Sequence, residues 1–172
     1  MEHIEQLESP VADADVRGLA ALLVDTVNAG ASVSFLAPLP LDQAEAWWRT
    51  TIAKIDEGAI VIVARDDGEV VGTVQLHPAW PPNQPHRADI AKLMVHRRAR
   101  GKKLGTRLML AVEEAARARG FTLLTLDTVP GSAAERLYLG MGWIPVGRIP
   151  GYALDPFGAI TDTVVFYKQL GR

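Results

Sequence analysis

Apolar residues recur at helical spacing over two early stretches of the chain. Val16, Leu19, Ala20, Leu23 and Val27 share one side of a helix spanning Asp13 to Asn28, which Gly30 ends. A second helix is expected from Leu41 to Glu57, with Asp42 and Glu45 at the spacing of a capping box and Gly58 as its stop. The pattern then changes. Ala59 to Arg65 (AIVIVAR) is a continuous apolar run that reads as a strand, and Asp66-Asp67-Gly68 turns it into a second strand, Val70 to His77. The segment Pro78 to Pro85 is too rich in proline for regular structure. A third strand, Ala88 to Val95, runs through the basic turn His96 to Lys103 into a long helix, Leu104 to Arg119, closed by Gly120. Phe121 to Asp127 is another apolar strand and Ser132 to Met141 a shorter helix. Two last strands, Trp143 to Ile149 and Thr163 to Gln169, flank the turn-rich Pro150 to Gly158. Strand, long helix, strand implies a parallel crossover inside an otherwise antiparallel sheet. The expected fold is therefore α/β, a mixed central sheet flanked by about four helices, with residues 1–172 in one domain.

Composition narrows the function. A chain of this length buries roughly 70% of its unfolded surface, enough for its own core. Lys plus Arg number 18 against 20 Asp plus Glu, so bulk charge gives no hold on nucleic acid or a membrane surface. No apolar run exceeds six residues, far short of a membrane span. The opening MEHIEQLESP lacks the basic-then-apolar order of a secretion signal, and a cytoplasmic protein is expected. Cysteine is absent, which removes disulfides, thiolate metal sites and a cysteine nucleophile together.

The candidate chemistry lies between Leu93 and Met109. Backbone N–H groups at a helix start are unpaired and carry the positive end of the helix dipole, so they favour an anion such as a pyrophosphate. Gly101 and Gly105 allow close approach, and Arg98, Arg100, Lys102 and Lys103 add charge. A basic, solvated helix start with no ligand accounts for the same letters equally well. Two familiar phosphate loops do not fit. In a Walker A loop Gly101 and Gly105 would stand one residue further apart, with a lysine before Thr106. The three-glycine dinucleotide fingerprint is absent.

What the segment does resemble is the central motif of the GCN5-related N-acetyltransferases, a strand L-x-V followed by Arg/Gln-x-x-Gly-x-Gly/Ala and a long helix. Leu93-Met94-Val95 stand for the strand and Arg100-Gly101-Lys102-Lys103-Leu104-Gly105 for the loop, with Lys103 in place of the middle glycine. The companion pattern is present as Ala134, Leu137, Tyr138, Gly142 and Trp143, with Gly131 where an asparagine often opens it. The stretches Gly30 to Leu36, Leu126 to Ser132 and Pro150 to Pro156 are similar to the tabtoxin-resistance branch, whose members acetylate a small β-lactam toxin.

The resemblance implies a sheet splayed at its central parallel pair. It implies acetyl-CoA as cosubstrate, its pyrophosphate on residues 100–105 with Thr106 following, and its pantetheine beside Leu93, Met94 and Val95. It also implies a small amine as acceptor, which attacks the thioester directly in a ternary complex. No metal is expected, since cysteine is absent and the histidines show no ligand spacing. The Met94 N–H would polarise the thioester carbonyl. Asp89 stands four residues before Leu93, where many members carry a catalytic glutamate, and is a candidate general base; the bland alternative is an ion pair with Arg87 or Lys92. Asp127, at the end of its strand, is a candidate to orient the amine or share base duty, or else to cap the following bend. Tyr138 holds the place of the general acid, with core packing as its alternative. His77 and His86 bracket the Pro-rich loop at no metal-ligand spacing, and His96 reads as solvated. Trp47 and Trp48 read as core and rim, and Trp80–Arg87, Ser32–Leu39 and Tyr152–Phe157 as acceptor-pocket candidates. A non-catalytic acyl-CoA sensor and a peptide or protein N-acetyltransferase stay open as alternatives, as does a homodimer beside a monomer.

Overall fold

The structure is a computed structural model and describes residues 2–171. One seven-stranded sheet carries the molecule, in the order β1-β2-β3-β4-β5-β7-β6. Its strands are β1 (His3–Gln6), β2 (Ile60–Asp66), β3 (Glu69–Pro78), β4 (Arg87–Val95), β5 (Leu123–Thr128), β6 (Ile144–Leu154) and β7 (Ile160–Gln169). Four helices flank it: α1 (Asp13–Asn28), α2 (Leu41–Ala53), α3 (Leu104–Ala118) and α4 (Ala133–Gly140). No helix among the described residues is long and apolar enough to cross a membrane.

Alternation along the strands divides the core in two. Ile60, Ile62, Leu76, Ile90, Leu124, Leu126 and Phe166 face α3 and α4, where Leu104, Leu108, Met109 and Val112 are fully buried or nearly so. Val61, Val63 and Met94 face α1 and α2, against Leu19, Leu23 and Trp48. Because β2 is covered on both sides, it reads as an unbroken apolar run. Each large side chain buried this way contributes about 1.5–3 kcal/mol relative to exposure.

Several elements depart from the expected bounds. The short β1 has no counterpart in the pattern of the sequence: Ile4 alone of its residues turns inward, and the strand is held by the Glu5–Arg65 pair at 2.5 Å. Arg65 also pairs with Asp15 of α1 at 2.7 Å, tying β1, β2 and α1 together. The capping box of α2 does not form, since Pro40 occupies the cap and the Asp42 carboxylate accepts from the adjacent Gln43 N–H at 2.9 Å. The regular helix ends at Ala53 and short turns follow. β6 continues through Pro150 and Gly151 to Leu154, which its place at the sheet edge permits. All eleven residues of β6 are exposed, Ile144, Val146, Ile149, Tyr152 and Leu154 among them.

A buried ion pair fastens α3 to the far half of the sheet. Glu113 is 2% exposed, and the Lys168 ammonium of β7 donates to both its oxygens at 2.8 Å. Trp143 Nε1 donates to the same carboxylate at 3.0 Å, and Lys168 also donates to the Met141 carbonyl at 2.9 Å.

Candidate active site

Two irregularities in the middle of the sheet build the site. β4 and β5 pair in parallel over three rungs only, Arg87 with Leu123, Ala88 with Leu124 and Asp89 with Thr125. Past that point the strands part, and the β5-facing backbone of β4 from Ile90 onward is left without a strand partner. The expected splay is thus present. Against β3, β4 carries a bulge: Thr73 pairs with Met94 but Gln75 with Ala91, so one extra residue is inserted, and Lys92 takes φ 53° to absorb it.

On the face toward α1 and α2, the strand period brings Asp89, Thr125 and Asp127 together. The Asp89 carboxylate is engaged. Arg87 Nη1 reaches it at 2.5 Å, and both Arg87 and the Thr125 hydroxyl donate to the same oxygen. Arg87 Nε donates to Gln84 at 2.7 Å, so the guanidinium is itself fixed. The ion-pair alternative for Asp89 therefore describes this conformation. Asp127 is exposed at the open end of the splay and accepts from the Thr163 hydroxyl at 2.8 Å. The bend after it is closed without it, by Arg136 donating to the Gly131 carbonyl at 2.9 Å and by Glu135 accepting from the Gly131 N–H.

Tyr138 comes from α4, on the other face. Its ring packs between Trp143, at 6.0 Å, and Phe166, at 6.1 Å, and the residue is 6% exposed. Among the described residues none hydrogen-bonds its hydroxyl. Burial, and then the negative charge of Asp127, push the phenol up to about 12, so it remains a proton donor at any physiological pH.

The basic turn resolves into cations that are used and cations that are free. Arg97 pairs with Asp25 at 2.5 Å, Arg98 pairs with Glu69, and Arg100 Nε donates to the Val95 carbonyl at 3.1 Å. Arg98 thus shares its charge with Glu69 in an exposed ion pair, whereas Lys102 and Lys103 are exposed and make no ion pair among the described residues. His96 is half-buried rather than solvated, and its Nδ1 accepts from the Arg98 N–H at 3.2 Å. The first helical bond of α3 runs from Arg107 N–H to the Lys103 carbonyl, leaving the N–H groups of Leu104, Gly105 and Thr106 ahead of the ladder. Gly101 has φ 80° and faces open space, with nothing within 4 Å of where a Cβ would stand, while a Cβ on Gly105 would meet Leu137 of α4 at 3.1 Å.

Lys103 adopts φ 58° and ψ 21°, the left-handed conformation a glycine would take at the motif position it replaces. The loop backbone is kept at a cost in strain of about 1–2 kcal/mol. Lys103→Gly is accordingly expected to raise stability by roughly 0.5–1 kcal/mol, the larger chain entropy of glycine offsetting part of the relief. Urea denaturation measures it; a loss of stability would mean that the lysine side chain contributes more than the strain removes.

Two of the three acceptor-pocket candidates meet. Ser34, Phe35 and Leu36 line a cleft of about 230 Å³ with Ala153 and Leu154, and the Ala37 N–H donates to the Pro156 carbonyl at 2.7 Å. The third, Trp80–Arg87, does not line it, and Trp80 is 90% exposed. Trp48 is buried and Trp47 stacks edge-on against Phe35 at 5.3 Å, the expected core and rim. His77 Nε2 lies 2.8 Å from Gln75 Oε1, and burial pushes the imidazole down toward its neutral form. Lys92, Thr125 and Gln75 carry no motif signal, and only the bulge and the strand register place them at the site. No group of His, Asp or Glu suited to a metal occurs among the described residues.

A splayed mixed sheet with a glycine-bearing basic turn feeding the helix beside the gap leaves room for an extended ligand with an anionic end. The sequence model of the acetyltransferase (GNAT) family matches residues 17–143. An uncharacterized N-acetyltransferase from the hisH-hisA intergenic region of Azospirillum brasilense is 33% identical over 129 residues, covering 74% of this chain and 73% of that one. The L-methionine sulfoximine/L-methionine sulfone acetyltransferase of Pseudomonas aeruginosa is 30% identical over 140 residues, 80% of this chain and 79% of its own. Among solved structures, yncA from Salmonella typhimurium, determined with its cofactor acetyl-CoA, superposes with a TM-score of 0.80 at 20% identity, covering 99% of this chain and 95% of that one. The chain belongs to the GNAT acetyltransferase family and is an N-acetyltransferase.

Proposed function

We propose that the protein transfers the acetyl group of acetyl-CoA to the amino group of a small amino-acid-like acceptor, by direct attack with both substrates bound. The observation that supports this reading is the splay, which leaves the backbone of β4 beyond Asp89 without a strand partner, with Asp127 at the open end of β5 near enough for its charge to act on the Tyr138 phenol. The residues fit the cosubstrate. Leu104, Gly105 and Thr106 offer N–H groups to a pyrophosphate, Gly101 leaves its approach clear, and Lys102 and Lys103 add unpaired charge. The open edge of β4 offers hydrogen bonds to the pantetheine amides. Because the His96 N–H donates to Val71 of β3 and Met94 pairs with Thr73, the expected Met94 N–H faces β3, and the N–H groups left to polarise the thioester carbonyl are those of Leu93 and Val95. Bound acetyl-CoA supplies an activated acyl group and a thiolate leaving group.

In this reading Asp127 takes the proton of the attacking amine, directly or through water, and the Tyr138 hydroxyl supplies one to the departing sulfur. Asp89, held by Arg87 and Thr125, fixes the floor of the site and shares base duty through a bridging water. A small acceptor is favoured over a peptide because the α1–α2 loop and the β6–β7 turn meet across the cleft. The substrate named for the Pseudomonas relative, together with the similarity to the tabtoxin-resistance branch, supports an amino acid or β-lactam amino acid, and hence a resistance role.

Thiol release from acetyl-CoA, followed against L-methionine sulfone, L-methionine sulfoximine, a β-lactam amino acid and simple alkylamines, tests the reading. Turnover is expected with at least one amino-acid acceptor. Tight binding of acetyl-CoA with no turnover on any amine would overturn it in favour of a sensor.

A further inference from the structure

Lys92 is a charged residue at the site whose placement the transfer chemistry does not use. It sits on the bulge of β4 with its side chain on the face toward α1 and α2. Its ammonium lies 3.0 Å from the Ser34 hydroxyl, 5.9 Å from the Phe35 ring and 5.6 Å from the Trp47 ring. An ammonium has three donors. Ser34 takes one, the rings satisfy the charge in part, and no carboxylate among the described residues pairs with it. Arg87, on the same strand, is committed to Asp89, while Asp127 uses one oxygen on the Thr163 hydroxyl and keeps the other for a ligand.

The surroundings point to a ligand. Ser34 and Phe35, which touch the ammonium, also line the 230 Å³ cleft. Non-glycine residues with positive φ among those described are Ser34, Asp67, Lys92 and Lys103. Asp67 forms the β2–β3 turn and Lys103 heads α3, and the other two are the pair bonded to each other here. Backbone held in that region costs about 1–3 kcal/mol a residue and persists where the surroundings enforce it, commonly at binding sites. Burial disfavours the charge on Lys92 while Asp127 favours it, so the ammonium is under-solvated and faces a carboxylate across the site.

We propose that Lys92, with the Ser34 hydroxyl beside it, binds the carboxylate of an amino-acid acceptor and sets the specificity of the transfer. The inference rests on the proposed acetylation of a small amine and names the second group that the acceptor must carry. A zwitterion matches the field of the site: its amino group goes to Asp127 and its carboxylate to Lys92. A CoA phosphate does not suit Lys92, because the head of α3 lies on the opposite face, in the core layer of Leu104 and Leu108.

The test is steady-state kinetics with two acceptors that differ by the carboxylate alone, L-methionine sulfone and 3-(methylsulfonyl)propylamine. The wild-type protein is expected to prefer the sulfone by about ten- to hundredfold in kcat/KM, the range of a charge-assisted hydrogen bond. Lys92→Met is expected to abolish that preference by raising the KM of the sulfone, leaving the amine and the KM of acetyl-CoA nearly unchanged. Lys92→Arg is expected to restore part of it. Equal losses on both acceptors, or a raised KM for acetyl-CoA, would overturn the inference and show a structural or cofactor role. A wild-type protein that acetylates both acceptors equally would overturn it while leaving the acetylation reading intact. Thiol release with neither acceptor, nor with any amine of the wider panel, would instead bring down the acetylation reading. Thermal unfolding of each variant shows that it is folded, and Lys92→Gln replaces the methionine variant if it is not.

Discussion

Tyr138→Phe is expected to lower kcat by about 10²–10³-fold while leaving the KM of acetyl-CoA within a few-fold of the wild-type value. The ring is set by its contacts with Trp143 and Phe166, which phenylalanine retains, so the variant loses the hydroxyl and little else. That hydroxyl has no partner among the described residues, and its removal therefore strands no buried group. A phenol at about 12 is a weaker acid than a free one, but the same dry surroundings raise the proton affinity of a thiolate formed beside it. Both anions lose the same solvent, so donation to the sulfur stays effective. The phenol also remains protonated far above neutral pH, and wild-type kcat should show no alkaline decline that disappears in the phenylalanine variant. Full activity in Tyr138→Phe would remove the acid role and leave protonation of the sulfur to water.

Glu113→Ala is expected to cost about 3–5 kcal/mol of stability, the range for breaking one side of a buried ion pair. The loss leaves the Lys168 ammonium with the Met141 carbonyl alone and the Trp143 indole N–H with no acceptor, both deep between α3 and β7. For a chain of this size that lowers Tm by roughly 6–20 °C. Guanidinium denaturation at neutral pH measures it, and a loss under about 1 kcal/mol would show that water takes over the role of the carboxylate. Trp143 also supports the Tyr138 ring, so the variant should lose kcat beyond what unfolding explains.

Most of the scaffold is legible in the sequence because its signals are local. The periodicity of α1, the doubly covered β2 and the turn at Asp67-Gly68 each depend on a few neighbouring residues. The basic turn can be read letter by letter, though not which of its cations Asp25 and Glu69 have already taken. What stays hidden depends on residues far apart in the chain. Glu113 reads as one more polar position on a surface helix until Lys168, 55 residues on, is placed beneath it. β6 reads as broken because Pro150 and Gly151 end strands in a sheet interior, while an edge strand tolerates them. Lys92 passes for one more strand residue because nothing in its neighbours announces the bulge. Asp89 reads as a base or a paired ion, and only the position of Thr125 on the next strand shows how fully it is engaged.

The short seam between β4 and β5 has a mechanical side. Three rungs join one plate of strands, β1 to β4, to another made of β5, β7 and β6, and Asp89 and Lys92 ride on the first while Asp127 rides on the second. Side chains, not rungs, hold the two plates at their spacing: Leu104 and Leu108 of α3 share one core with Ile90 on the first and Leu124 and Phe166 on the second, and Glu113 reaches across to Lys168. The width of the gap is thereby built into the folded chain before anything enters it.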